Sequence, residues 1–196
     1  MKNSFRQKEI FNSESYEYAA SGTKSCNEIS LKILEGWKNK IHDYQKVYLD
    51  NNQNKLEQIS LFNDFNTKNL NGFEPLKLTP LPLNFWRWSK SYHKGAAIYL
   101  VMERFGEKKK NIILYIGETI SASKRWKGEH DCKKYLENYI LSHQKVNLSP
   151  NLSIRFWSDV PQLTKERRKL EQDLIQKWLP PFNKETRNRW QTPFTA

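Results

Sequence analysis

The sequence has only two cysteines among its 196 residues, Cys26 and Cys132, and they lie far apart. Neither belongs to a Cys-x-x-Cys or Cys/His spacing, which argues against a disulfide-stapled scaffold and against a structural zinc site. The chain also lacks an amino-terminal apolar segment typical of secretory signals, and it has no apolar run near the roughly 18 residues that a membrane span needs. We therefore expect a cytoplasmic protein that does not associate with a membrane.

Negative charge is scarce in the second half of the chain. The whole sequence carries 33 Lys and Arg against 21 Asp and Glu, a formal net charge of +12. Residues 91–196 hold 20 basic against 11 acidic residues, whereas residues 1–90 are nearly balanced at 13 against 10. This concentration of basic charge indicates a polyanionic partner, with nucleic acid as the first candidate. A basic surface that serves only solubility is the alternative.

The first half of the chain divides into three predicted regions. Residues 1–26 are polar and predict a disordered tail. Residues 27–62 predict a helical amino-terminal extension, because apolar side chains recur there at spacings of three and four from Leu34 to Tyr48. Residues 63–92 contain three prolines and "NFWRWSK", which predicts an extended linker. Its aromatic residues would either stack on bases or, as we favour, anchor the linker on the folded domain.

Residues 93–190 have the pattern of a compact α+β domain. Apolar runs predict three strands, at 96–102, 111–116 and 152–157, with the charged segment 103–110 as the loop between the first two. Helical periodicity predicts two helices, from about 122 to 143 and from about 164 to 178. The order β-β-α-β-α predicts a small three-stranded antiparallel sheet flanked by helices.

Polar side chains stand at positions where a packed domain would carry apolar ones. Tyr99 lies in the middle of a predicted strand, and Glu171 lies on the apolar side of the last helix, where a carboxylate needs a cation or donors. With Tyr115 on the paired strand and Arg125 on a helix rim, these groups can converge at one edge of the sheet. Such a set suits a phosphodiester: a cation for the phosphoryl charge, a carboxylate for Mg²⁺ and a phenol for a proton.

The tripeptides "AIY" at 97–99 and "YIG" at 115–117 together resemble the signature of the GIY-YIG nuclease family. The family's helix arginine is matched by Arg125, its metal-binding glutamate by Glu171 and its closing asparagine by Asn183 in "PPFN". The interval between the last two is similar to that in the excinuclease member of the family. The resemblance covers roughly half of the chain, and five matched positions in order are far more specific than one tripeptide.

The resemblance implies a metal-dependent endonuclease that hydrolyses DNA phosphodiester bonds in DNA repair, restriction or mobile-element biology. Glu171 would hold one Mg²⁺ or Mn²⁺ ion. Tyr99 would act as general base, which requires the metal or Arg125 to favour its phenolate. Arg125 would neutralise the phosphoryl charge, Tyr115 would position phosphate or water, and Asn183 would brace the site.

Several further residues extend this prediction. We expect DNA contacts from basic residues on the two helices, namely Lys124, Lys127, Arg125, Arg167 and Arg168. His130 is a candidate for the histidine that many family members carry one turn after the arginine, although a structural or solvent-facing histidine is the commoner alternative.

The chain also departs from the family pattern. Ala97 replaces the first glycine of the signature, and Glu118 stands where the family often has a basic or small residue. An extra carboxylate at that position would repel substrate or join the metal shell. We expect the second strand to stop at Gly117, which would let the backbone turn sharply and leave room for a phosphate.

One segment of the linker region suggests a partner. "QISLF" at 58–62 resembles the short peptide by which bacterial repair and replication proteins bind the sliding clamp, with Gln58, Leu61 and Phe62 as its contacts. The alternative is that its apolar residues pack the amino-terminal helix on the domain. For the chain as a whole, the alternative function is a non-hydrolytic DNA- or RNA-binding protein that retains the GIY-YIG fold.

Overall fold

A computed structural model describes residues 30–50, 73–85, 95–121, 125–126 and 131–192. These residues form α1 (Leu31–Asp50), β1 (Ala97–Phe105), β2 (Lys110–Thr119), α2 (Asp131–Lys145), β3 (Asn151–Trp157) and α3 (Thr164–Trp178), with short 3-10 helices at Pro75–Lys77 and Arg187–Trp190. The strands form one antiparallel sheet in the order β2-β1-β3. The predicted α+β class, with a three-stranded antiparallel sheet and flanking helices, is confirmed.

The β1–β2 hairpin is tighter than the sequence indicates. β1 continues to Phe105 and β2 begins at Lys110, so only four residues form the turn. Gly106 and Lys109 take left-handed backbone angles there, with φ of 67° and 52°. The predicted loop at 103–110 is wrong because Glu103, which looks like a loop residue, is a buried strand residue.

Apolar layers cover both faces of the sheet. Side chains alternate along β1, so that Ile98, Leu100 and Met102 face one way and Tyr99 and Val101 the other. The first face packs against α3 through Leu170, Leu174, Ile175 and Trp178. The second face packs against α1 and α2 through Leu34, Trp37, Ile41, Cys132, Leu136 and Tyr139.

Helix α1 belongs to this core and not to a separate extension. The buried side-chain amide of Gln45 donates to the carbonyl of Ile113 at 3.0 Å and to that of Trp178 at 2.9 Å. The N–H of Ile113 in turn donates to Gln45 Oε1 at 2.7 Å. The predicted extension therefore contributes α1 to the same core as the residues after 93. Residues 1–26, and the rest of the predicted extension after residue 50, lie outside the described ranges.

The described part of the predicted linker, residues 73–85, lies along β3. Leu81 and Ile154 exchange two backbone hydrogen bonds of 2.8 Å. Arg155 Nη1 donates to the carbonyls of Pro75, Leu76 and Leu78 at 2.9–3.1 Å. This segment is therefore a strap bound to the outer edge of β3.

The aromatic end of this strap is an anchor, which is the alternative that the sequence favours. Phe85 is buried, and its ring lies 5.1 Å from that of Phe156 and 6.2 Å from that of Trp126. Trp86, Arg87 and Trp88 lie outside the described ranges.

A buried ion pair joins α1 and β1. Lys38 Nζ lies 3.2 Å from Glu103 Oε1 and 3.2 Å from His143 Nε2, and the hydroxyl of Tyr139 donates to the other oxygen of Glu103. Burial by itself would raise the pKa of Glu103, but His143, Lys38 and Tyr139 outweigh it and hold the pKa below its ordinary value. The charged carboxylate therefore stabilises the fold at neutral pH, and this contribution is lost as the pH falls through the lowered pKa.

Candidate functional site

Two tyrosines from paired strands lie on the same face of the sheet. Tyr99 pairs with Gly117 and Tyr115 pairs with Val101, so the two-residue alternation directs both phenols towards α2. Their ring centroids lie 5.8 Å apart, with an interplanar angle of 32°. Tyr99 is fully buried, whereas Tyr115 is partly exposed. Tyr115 is thus the phenol that a ligand reaches first.

Gly117 is a strand residue and not the end of the strand. β2 continues to Thr119, and the φ angle of Gly117 is not positive. A Cβ at this position would lie 2.5 Å from Cζ and from the hydroxyl oxygen of Tyr99, and 2.9 Å from Cε1 of Tyr115. The prediction that β2 stops and turns at Gly117 is therefore wrong. A glycine is needed because the two phenol rings fill the space that a side chain would take.

Arg125 reaches the phenols from the segment after β2. Its N–H donates to the carbonyl of Ser121 at 3.0 Å, and Arg125 and Trp126 have helical backbone. The next residue, Trp126, is buried with its ring 6.0 Å from that of Tyr99, and this contact fixes the backbone beside the site. Arg125 Nε then makes a long hydrogen bond of 3.5 Å to the Tyr99 hydroxyl, and this bond raises the pKa of Arg125. The exposed guanidinium remains open to an anion.

Both phenols are neutral near pH 7. Burial raises the pKa of Tyr99 well above its ordinary value, Tyr115 and Cys132 raise it further, and Arg125 opposes this only in part. Burial likewise raises the pKa of Tyr115 to about 12, and the charge of Glu171 adds to this effect. Arg125 alone therefore does not supply the charge that a Tyr99 phenolate needs.

Glu171 lies at the outer edge of β2. Its Oε1 accepts the N–H of Glu118 at 3.1 Å. Burial raises the pKa of Glu171 to about 7, and the charges of Glu118 and Glu185 act in the same direction, while the Glu118 N–H and Arg125 oppose them. A carboxylate in such surroundings gains free energy from a nearby cation.

The carboxylate of Glu118 is engaged by two arginines of α3. Arg167 Nε lies 2.8 Å and Arg168 Nε 3.4 Å from its oxygens. Because these cations meet its charge, Glu118 repels an approaching phosphate less than its position in the sequence indicates.

The structure gives Arg167 an internal place, which does not fit the predicted contact with nucleic acid. Its side chain is fully buried, and besides Glu118 it donates to two carbonyls, those of Pro161 and Gln162, and to the Thr164 hydroxyl. Arg168, in contrast, is 69% exposed and stays a candidate contact. The helical periodicity of α3 indicates that Arg167 is buried and Arg168 exposed. Arg167 lies three residues before the buried Leu170, at the start of the apolar stripe.

Asn183 binds the edge of β2 directly beside Tyr115. Its Oδ1 accepts the N–H of Ile116 at 3.0 Å, and its Nδ2 donates to the carbonyl of the same residue at 2.8 Å. The preceding residue, Phe182, donates its N–H to the carbonyl of Leu114 at 3.0 Å. A buried side-chain amide thus satisfies the strand as a neighbouring peptide would.

The structure brings Tyr99, Tyr115, Arg125 and Glu171 to one end of β2, with Asn183 behind them. Sequence reasoning missed the arginine clamp on Glu118 and the packing of Gly117 on the phenols. The remaining predicted residues, Lys124, Lys127, His130, Gln58, Leu61 and Phe62, lie outside the described ranges.

Glu171 is the described carboxylate that could hold a hard cation at this site. Within the part of the chain that the structure describes, no three His, Cys, Asp or Glu side chains are grouped to hold a metal ion. A Mg²⁺ or Mn²⁺ ion at Glu171 would therefore keep most of its octahedral shell as water, as Mg²⁺ usually does in proteins.

None of the described helices is long and apolar enough to cross a membrane.

No protein-family model matches the chain, and comparisons with curated proteins and with solved structures found no match. The geometry around Tyr99, Arg125 and Glu171 is therefore the basis for a functional assignment.

Gly117→Ala should displace both phenols and destabilise the fold by roughly 1–3 kcal/mol, the usual cost of overpacking. Gly36→Ala is the matched control, because nothing lies within 4 Å of a Cβ at that exposed position of α1. It should be neutral or stabilise the protein by up to about 1 kcal/mol. Urea unfolding measures both changes, and equal stability of the two variants would contradict the packing described for Gly117.

Glu171 should titrate near pH 7 in the metal-free protein, because burial raises its pKa to about 7. Carbon-detected NMR of the side-chain carboxyl measures this value directly. Since the folded pKa lies above the unfolded one, protonation favours the fold, and this stability is lost as the pH rises through about 7. Glu171→Gln should therefore be more stable than the wild type by on the order of 2 kcal/mol at pH 8 and equal to it at about pH 4. If the Glu171 carboxyl titrated near pH 4, the predicted rise in its pKa would be refuted.

Proposed function

We propose that the chain is a metal-dependent endonuclease of the GIY-YIG type, which hydrolyses phosphodiester bonds in DNA. The observation that carries the proposal is the contact of Arg125 with the Tyr99 hydroxyl. Tyr115 lies beside Tyr99, and Glu171 binds the same end of β2 through the N–H of Glu118. A cation, two phenols and a carboxylate gathered at one end of the sheet are groups that can assist a phosphoryl transfer. DNA repair, restriction and mobile-element biology are the settings that suit such an enzyme.

Arg125 would bind the phosphate to be cleaved. Its guanidinium is exposed and always charged, and it can donate two parallel hydrogen bonds to phosphate oxygens. Negative charge on these oxygens grows in the transition state, so a cation already held in place by Tyr99 and Trp126 stabilises that state more than the ground state.

Tyr115 and Tyr99 would have different roles in the reaction. Tyr115 is partly exposed and neutral, which suits it to donate a hydrogen bond to a phosphate oxygen or to hold the attacking water. Tyr99 is fully buried, with its pKa well above the ordinary value. It can accept a proton from water only after it has lost its own proton, and the resulting phenolate needs additional positive charge to offset the burial.

Glu171 would hold the Mg²⁺ or Mn²⁺ ion through the oxygen that does not receive the Glu118 N–H. When bound, such an ion neutralises phosphoryl charge and lowers the pKa of its water ligands. Because the pKa of Glu171 is about 7, protons compete for the carboxylate at neutral pH. Activity should therefore rise as the pH increases through this range.

DNA is the proposed partner, with Arg168 at the rim of the site as one contact. Binding of the sliding clamp through residues 58–62 stays a prediction, because that segment lies outside the described ranges.

A non-hydrolytic DNA- or RNA-binding protein is the second candidate. The complete burial of Tyr99 favours it, since the phenol that would act as base is shielded from water in this conformation. A Mg²⁺-dependent nicking assay separates the two candidates, because only the first function converts supercoiled plasmid into relaxed circles.

Glu171→Gln should abolish nicking of supercoiled plasmid while leaving DNA affinity nearly unchanged. The substitution keeps an acceptor for the Glu118 N–H but removes the charge that holds the ion, at a cost of several kcal/mol in the transition state. Glu166→Gln is the matched control, since Glu166 is an exposed glutamate in the first turn of the same helix. Undiminished Mg²⁺-dependent turnover in Glu171→Gln would refute the role of this residue.

Arg125→Ala should slow nicking by about 100-fold or more, because a preorganised donor at the phosphoryl group contributes roughly 3 kcal/mol or more to the transition state. Arg125→Lys should recover only part of the loss, since an ammonium lacks the paired donors. Single-turnover rates at saturating enzyme measure the chemical step apart from binding. Rates within twofold of the wild type for both variants would exclude Arg125 from the reaction.

A further inference from the structure

Arg187 is an exposed arginine that the site described above does not use. It begins the 3-10 helix Arg187–Trp190, and its Nη1 donates to the Tyr135 hydroxyl at 2.6 Å. The ring of Tyr135 stacks on that of Phe182, with centroids 5.8 Å apart and an interplanar angle of 16°. Since Phe182 is buried and bound to β2 through Leu114, these contacts hold the guanidinium in place relative to the sheet.

Two further links connect Arg187 and its partner Tyr135 to the elements of the site. Its N–H donates to the carbonyl of Asn183 at 2.9 Å, and Asn183 braces the strand that carries Tyr115. Tyr135 lies three residues after Cys132 on α2, about one helical turn or 5 Å along the axis. Cys132 is close enough to both phenols to raise their pKa.

The contacts of Arg187 with the described residues leave its charge unpaired. A guanidinium has five N–H donors, and the one directed at Tyr135 meets a neutral acceptor. Among the described residues, no carboxylate lies within ion-pair distance of Arg187. An arginine that is oriented by a tyrosine and not neutralised by an acid is prepared for an anionic ligand.

Arg189, two residues further on, lies in a different environment. Its guanidinium carbon lies 5.7 Å from the ring centroid of Tyr44, a residue of α1. The same short helix thus holds one arginine against Tyr135 of α2 and the other against Tyr44 of α1, and Arg189 provides an internal control of equal charge.

We propose that Arg187 binds a phosphate that flanks the one to be cleaved, with Tyr135 as its positioning residue. Phosphates of one DNA strand advance by about 3.4 Å per nucleotide along the duplex axis. Because Arg187 is bound to Asn183, which in turn binds the strand residue next to Tyr115, we expect its phosphate to lie one or two nucleotides from the one to be cleaved. This inference rests on the proposed function, since it extends the contacts of that site along the DNA strand.

Fluorescence anisotropy with a labelled 20-base-pair DNA duplex, without divalent metal, tests the proposal. Arg187→Ala should weaken binding about tenfold and reduce the slope of log Kd against log salt concentration by about one phosphate contact. Arg189→Ala should change the affinity less than twofold. Tyr135→Phe should weaken binding but keep the slope, because the charge remains and only its orientation is lost.

Each outcome separates this inference from the function on which it rests. Equal weakening by Arg187→Ala and Arg189→Ala, or an unchanged salt slope for Arg187→Ala, would overturn the role of Arg187 and leave the nuclease proposal intact. A wild-type protein that neither binds the duplex nor nicks plasmid would overturn both. Arg187→Gln, which retains a donor for Tyr135, serves as a second variant if Arg187→Ala proves unstable in thermal unfolding, and it should show the same loss of slope.

Discussion

The outer edge of β2 is closed by side chains, and the arrangement of the site depends on this closure. An edge strand presents N–H and C=O groups that need partners. Gln45 binds both groups of Ile113, and Asn183 binds both groups of Ile116. Glu171 accepts the next N–H along this edge, that of Glu118. The contacts that hold α1, α3 and the segment after α3 on the strand therefore also place a carboxylate beside the phenols.

Glu171 consequently serves two purposes. One oxygen completes the edge of β2, so the carboxylate cannot turn away from the site without leaving a backbone N–H unsatisfied. This position costs free energy because it holds a charge in a partly buried place, and the burial raises the pKa of Glu171 to about 7. Arg167 and Arg168 limit this cost by binding Glu118, whose charge would otherwise act on Glu171 at full strength. Buried Arg167 thus influences the electrostatics of the site without touching a ligand.

The sequence predicts the helices and strands well, but it predicts contacts between distant residues poorly. Periodicity locates α3 and the three strands because the apolar side chains of a helix or strand repeat within a few residues. Glu103 resembles a loop residue because the cation that pairs with its buried carboxylate, Lys38, lies 65 residues away in the sequence. Gly117 resembles a turn residue because its constraint is the Tyr99 ring on the neighbouring strand. Of the candidate site, motif order identifies the phenols, Arg125 and Glu171, whereas nothing in the local sequence distinguishes Arg187 from other exposed arginines.

The strap along β3 has a consequence for how the molecule behaves at high concentration. A three-stranded sheet has two edges, and an open edge invites pairing with a second copy and growth into aggregates. Here amide side chains bind one edge, while Leu81 pairs with Ile154 on the other and Arg155 holds the strap in place. Proteolytic cleavage of the strap would uncover the outer edge of β3 and so create a site for intermolecular sheet formation.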